Sequence, residues 1–143
     1  MKSTFHRALL GLLAFTGVVV GGWAYAAPRH WYDTFPGMGL SWLPQLGPYN
    51  EHFVKDVGAM YLALALLSVF AAIHLTNTTL LRVTAAAWTV FNLLHFIFHM
   101  QMLHMYDTRD QILNAVALSA ILVASVVLFV PVRAAGHGVR PAR

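Results

Sequence analysis

Apolar residues gather along this chain in four long runs, from about Ala8 to Ala24, Val57 to Ile73, Val83 to Leu103 and Ile112 to Val130. None of the four contains Lys, Arg, Asp or Glu. A bilayer core about 30 Å thick takes about 20 helical residues at 1.5 Å each, so each run approaches a crossing once its framing residues are added. Membrane-spanning strands would instead read as roughly ten-residue segments of alternating polarity. The pattern therefore predicts an all-α integral membrane four-helix bundle, one transmembrane domain over 1–143, with helices at about 8–25, 51–74, 80–104 and 110–131. The one long connection, 28–49, holds Pro28, Pro36, Pro44 and Pro48 with Gly37, Gly39 and Gly47, which precludes a long regular helix. Its Trp31, Tyr32, Phe35, Trp42 and Tyr49 suit the headgroup layer, so it reads as an interfacial anchor in preference to a gating lid. The remaining loops are short enough to join antiparallel neighbours.

Charge adds an orientation to this picture. Of 143 residues only 9 are Lys or Arg and 5 Asp or Glu, against 59% apolar, where a soluble domain has about a quarter charged. Lys and Arg are retained on the cytoplasmic side during insertion. With the N-terminus inside, Lys2, Arg7, Arg82, Arg133, Arg140 and Arg143 are cytoplasmic, and Arg29, Lys55 and Arg109 are outside. Asp33, Glu51, Asp56, Asp107 and Asp110 then all fall outside as well. The expectation is an N-in/C-in multi-pass protein of the cell membrane, in contact with the bilayer and with a homo-oligomer or a larger membrane complex as further partners. The basic residues are scattered and form no stripe, which speaks against nucleic acid. Lys2 and Arg7 before an apolar run ending in Ala24-Tyr25-Ala26 also fit a cleavable signal peptide, but the run exceeds the usual signal core. Gly17 and Gly21 in that run form a GxxxG pattern for close helix packing, as do Ala59 and Ala63 in small-residue form. Retention of the first helix is the preferred reading.

Cysteine is absent, so no thiolate site or disulfide can form, and any metal falls to His, carboxylate or Met. The third helix carries Asn92, His95 and His99 at i, i+3 and i+7, a narrow stripe that Trp88 extends. Unsatisfied imidazole and amide groups facing hydrocarbon would cost several kcal/mol, so the stripe should face the protein interior. The second helix starts at the same side, with Asn50 as N-cap and Glu51, His52, Lys55 and Asp56 in its first turns. Its acidic side chains reach a depth similar to that of the histidines. This convergence predicts a metal site of His95, His99 and Asp56, with His52 or Glu51 as the next ligand and Asn92 behind them. Zinc, iron or copper all suit such a set, in service of a redox or hydrolytic step. The competing reading is a noncatalytic membrane subunit, or a carrier of a small ligand or protons, in which the polar cluster is structural. Haem is disfavoured, because His74 and His95 lie at different depths and His52 with His99 sits among acidic residues. Ser68, Ser119 and Ser125 lack a His–acid relay and are expected to bond backbone carbonyls.

The stretch Trp31-Tyr32-Asp33-Thr34-Phe35-Pro36-Gly37, then Pro48-Tyr49-Asn50-Glu51-His52, and later His95-x-x-x-His99, resembles elements of small uncharacterised bacterial four-helix membrane proteins. The resemblance covers about residues 28 to 104 and implies that these elements form a unit. It implies no activity, cofactor or substrate.

Overall fold

The structure, a computed structural model, describes residues 3–131. Lys2, Arg133, Arg140 and Arg143 lie outside the described residues. The chain forms α1 (Ser3–Ala26), α2 (Pro28–Thr34), α3 (Glu51–Ile73), α4 (Thr78–Gln101) and α5 (Thr108–Val127), with single 3-10 turns at Leu43–Gln45 and Leu103–Met105. Four of them, α1, α3, α4 and α5, are long and apolar enough to cross a membrane. No strand occurs among the described residues.

Short polar residues set where these helices start. Asn50 Oδ1 accepts from the Phe53 N–H at 3.2 Å and begins α3 where the sequence places it. Asn77 Oδ1 accepts from Leu80 N–H at 3.0 Å, which starts α4 two residues before the expected 80. Asp107 does the same for Asp110 N–H at 2.8 Å in α5. In α2, Pro28 occupies the first turn, where its missing N–H removes no helical bond. This seven-residue helix is the one α-helix in the 28–49 connection.

The up-and-down course collects the 28–49 connection and the α4–α5 turn at one end of the bundle, the loop end. All five acidic residues lie there, in α2, the first turns of α3, and the start of α5. At that end α1 and α3 approach most closely. A Cβ on Gly17 would stand 2.7 Å from Tyr61 O, and one on Gly21 2.7 Å from Gly58 O, so the GxxxG face of α1 meets backbone. The matching small residues on α3 are Gly58 and Ala65. Ala59 and Ala63, expected in that role, are exposed, because the buried face of α3 runs through Val54, Gly58, Ala65 and Ser68.

Helices α4 and α5 make the second close pair, and the two pairs meet at the end opposite the loops. There Leu10, Leu13, Ala71, Leu81, Ala85, Trp88 and Leu128 form the main core. Trp88 is fully buried and donates its Nε1–H to Ser68 Oγ at 2.7 Å, while Ser68 donates to Leu64 O at 2.9 Å. Ser125 likewise bonds a carbonyl, Leu122 O at 2.7 Å, whereas Ser119 is exposed. The buried His6 ring sits 2.8 Å from Val130 O through Nε2 and ties the start of α1 to the chain beyond α5. A smaller core of Ala24, Trp31 and Val54 lies at the loop end. Phe15, Leu66, Leu94 and Val116 cover the outside, compatible with contact to lipid tails.

Candidate functional site

Between the two cores the bundle is hollow. A cavity of about 460 Å³ lies under the 28–49 connection, walled by α1, α3, α4 and α5. That is within the roughly 300–1,000 Å³ of small-molecule sites. Its walls are aliphatic and aromatic, and no Asp, Glu, Lys or Arg lines it. Polar groups enter at Thr16, Tyr61, Asn92, His95, His99 and Asn114.

The Asn92/His95/His99 stripe of α4 thus faces the interior, with Asn92 and His99 buried and His95 half-buried. The two imidazoles meet edge to face, ring centroids 4.4 Å apart. Asn92 Nδ2 reaches Ser125 Oγ at 3.4 Å, a long bond that tethers α4 to α5.

The carboxylates do not join them. His52 Nε2 lies 3.2 Å from Asp56, and Lys55 Nζ 2.7 Å from Glu51, both pairs in contact with the surroundings. The side chains of His52 and Asp56 are 78% and 64% exposed. The reason is helical phase. At about 100° per residue, both stand two residues from Val54 or Gly58 and so project from the side of α3 opposite the buried face. The expected five-residue metal site of His95, His99, Asp56, His52 and Glu51 is therefore not assembled, and Asn92 has no ligand set to support. No group of three or more His, Cys, Asp or Glu able to hold a metal ion occurs among the described residues. The two haem pairings fare similarly in geometry: His74 is exposed at the end away from the loops, and His52 points outward.

Around the cavity several buried side-chain polar atoms have no hydrogen-bond partner of good geometry. Asn114 on α5 is 1% exposed and neither its Oδ1 nor its Nδ2 is hydrogen-bonded. His99, 6% exposed, leaves Nδ1 unpaired. The indole N–H groups of Trp31 and Trp42, both lining the cavity, are also unpaired. A buried polar group left without a partner costs about 1–3 kcal/mol. Beside Asn114 stands Tyr106, whose phenol burial pushes up to about 12. It stays neutral at physiological pH. The two side chains are neighbours, yet neither closes a hydrogen bond of good geometry.

Trp31 and Trp42 are buried over the cavity in a chain of ring contacts, Trp31–Phe35–Trp42–Tyr106, the first tilted and the next two edge-on, with centroid separations of 5.3, 6.4 and 6.4 Å. These rings roof the bundle. Tyr32 and Tyr49, 5.3 Å apart, remain at the rim, where the Arg29 guanidinium lies over both rings and pairs with Asp33 at 2.8 Å. The carboxylate beside it raises the guanidinium pKa further.

Sequence spacing does not single out Asn114. Its one signal is to be the sole amide side chain in the apolar run Ile112 to Val130. No protein family, curated protein or solved structure matches the chain.

Proposed function

We propose that this chain is a noncatalytic multi-pass membrane protein that holds a small, neutral, lipid-soluble molecule inside its bundle. One observation carries the reading: a cavity of small-molecule size with no ionised side chain in its lining and a few polar side chains, Asn92, His95, His99 and Asn114 among them, set in aliphatic and aromatic walls. An apolar cavity alone would be a packing defect. A few polar side chains among apolar walls are what orients a ligand with one polar end. A metal reading would need a third donor beside His95 and His99, and α3 points its candidates away.

Mass spectrometry of extracts from protein purified in mild detergent tests this. The native chain should carry one neutral small-molecule class at about one per chain. Leu118→Trp, which fills the cavity from α5, and Ala117→Phe, which blocks its edge, should each lose that molecule while keeping native helicity. Native protein that purifies empty, or variants that carry the same molecule at the same level, would overturn the reading.

The orientation is part of the same proposal: both termini cytoplasmic, the acidic loop end outside. The absence of native cysteine makes labelling clean. Gln45→Cys in the connection should react with an impermeant maleimide on intact cells, and Thr76→Cys in the α3–α4 turn should react only after lysis. The reverse pattern would invert the assignment.

A further inference from the structure

The sides of the cavity and its cover are held in different ways. The helical sides are fastened to one another: α1 rests on the backbone of α3 at Gly17 and Gly21, Asn92 reaches from α4 to Ser125 of α5, and Trp88 bonds Ser68 across the main core. The cover is a single stretch of chain. Pro36, Met38, Leu40, Trp42 and Leu43 reach the cavity from the segment that follows α2, whose one helical feature is the 3-10 turn Leu43–Gln45.

The hydrogen bonds that shape this segment run within it or back to α2. Gly37 N–H donates to Thr34 O at 2.7 Å, Trp42 N–H to Phe35 O at 2.8 Å and Ser41 Oγ to Asp33 O at 2.7 Å. Near its far end the Tyr32 hydroxyl donates to Gly47 O. Among the described residues no hydrogen bond joins 36–49 to α4, α5 or the turn between them. What meets the segment from that side is Tyr106, edge-on to Trp42 with 6.4 Å between ring centroids. Packing holds that edge, and no directional bond does.

Glycines stand at both ends of the segment. Gly37 and Gly39 have φ of +99° and +80°, and Gly47 has +149°. Glycine adopts and leaves such angles without the steric cost that a Cβ imposes. Nothing lies within 4 Å of a Cβ placed on any of the three, so neighbouring atoms do not obstruct a rotation there. By contrast α2 is anchored, because Trp31 packs with Ala24 and Val54 in the smaller core. The connection therefore divides into an anchor, α2, and a strap, 37–47, bonded along one edge only.

We infer that the strap is a lid on the cavity: it swings on Gly37, Gly39 and Gly47 with α2 as its base, lifts Trp42 from Tyr106, and lets the small molecule enter and leave at the loop end. Lids are drawn from the parts of a fold with the least local stability, and hinges absorb their motion in a few backbone angles. Opening separates two rings and breaks no ion pair, since Arg29–Asp33 lies within α2 and Glu51–Lys55 within α3. The inference rests on the reading of the cavity as a ligand site.

Fastening the free edge tests it. Ser41 and Met105 are exposed and adjoin the two touching rings, and the chain has no native cysteine. Ser41→Cys with Met105→Cys, joined by a flexible bis-maleimide that carries a cleavable disulfide, ties the strap to the α4–α5 turn. The readout is transfer of the co-purified small molecule from protein in lipid nanodiscs to excess phosphatidylcholine vesicles, followed by mass spectrometry. Transfer should nearly stop in fastened protein and recover once the linker is reduced. Tyr106→Leu removes the ring contact without altering the cavity lining, and should speed transfer about tenfold, the loss of one aromatic pair read as a rate. Transfer at the native rate in fastened protein would overturn the lid, place exchange between the helices and leave the cavity reading standing. So would an unchanged rate in Tyr106→Leu protein of native helicity. Native protein that purifies without any small molecule would overturn the cavity reading, and the lid with it.

Discussion

Replacing Gly21 with valine is expected to cost about 3 kcal/mol or more of folding stability and to separate α1 from α3. A Cβ at Gly21 stands 2.7 Å from Gly58 O and 3.0 Å from Leu62 N, so the new atoms meet the backbone of the facing helix and no side chain can swing aside. Overpacking a tight interface usually costs about 1–3 kcal/mol, and backbone contact puts this site at the top of that range. The contact is reciprocal, since a Cβ on Gly58 would stand 2.8 Å from Tyr25 N. Gly11 is the internal control: nothing lies within 4 Å of a Cβ placed there, so Gly11→Val should stay within about 0.5 kcal/mol of native. Unfolding by a denaturing detergent, followed by circular dichroism, reads both. If Gly21→Val unfolds like the native chain, α1 and α3 do not pack through their glycines. Because Val20 of α1 and Val57 of α3 line the cavity, Gly21→Val should also loosen the ligand site.

The sequence carries the architecture well and the site less well, and the residues show why. Four charge-free runs declare four long helices, since length and hydropathy are local properties, and Asn50 declares the start of α3 because a cap is a local interaction. Asn92, His95 and His99 are legible as an inward stripe for the same reason: one helix fixes their spacing, and the cost of a polar group in hydrocarbon fixes their direction. The facing side of α3 is not legible in the same way. Depth along the bilayer places Asp56 level with the histidines, but depth says nothing of rotation. Rotation is set by where Gly21 finds backbone to rest on, and that is Gly58, whose face excludes His52 and Asp56. Trp31 and Trp42 show the same lesson at the roof. Interfacial aromatics and roof aromatics have the same composition, and only the path of the connection over the bundle separates them. Asn114 belongs to no motif at all, and its importance lies in what it fails to contact.

Asn114→Leu carries the second large expected effect, and its sign is diagnostic. Were the amide part of a structural network, as through Tyr106, its removal would strip hydrogen bonds from the fold and destabilise the ligand-free protein by about 1–3 kcal/mol. In a ligand site the amide is unsatisfied while the protein is empty, so a side chain of nearly the same shape without polar atoms removes a cost and no bond. The ligand-free variant should therefore be as stable as native or more stable, by up to about 2 kcal/mol. The cost reappears in the complex, where the polar end of the ligand loses its contact with the amide. Stabilisation by bound ligand grows with the logarithm of concentration over Kd, so a variant that binds tenfold more weakly gains about 1.4 kcal/mol less at saturating ligand. The most direct measurement is the unfolding free energy of native and Asn114→Leu protein, each stripped of small molecules and then reloaded with the extract recovered from native membranes. A ligand site at Asn114 predicts a stripped variant at least as stable as stripped native protein, and a reloaded variant that gains much less than reloaded native protein does. A stripped variant less stable by more than about 1 kcal/mol, with equal gains on reloading, would contradict it and return Asn114 to a structural role.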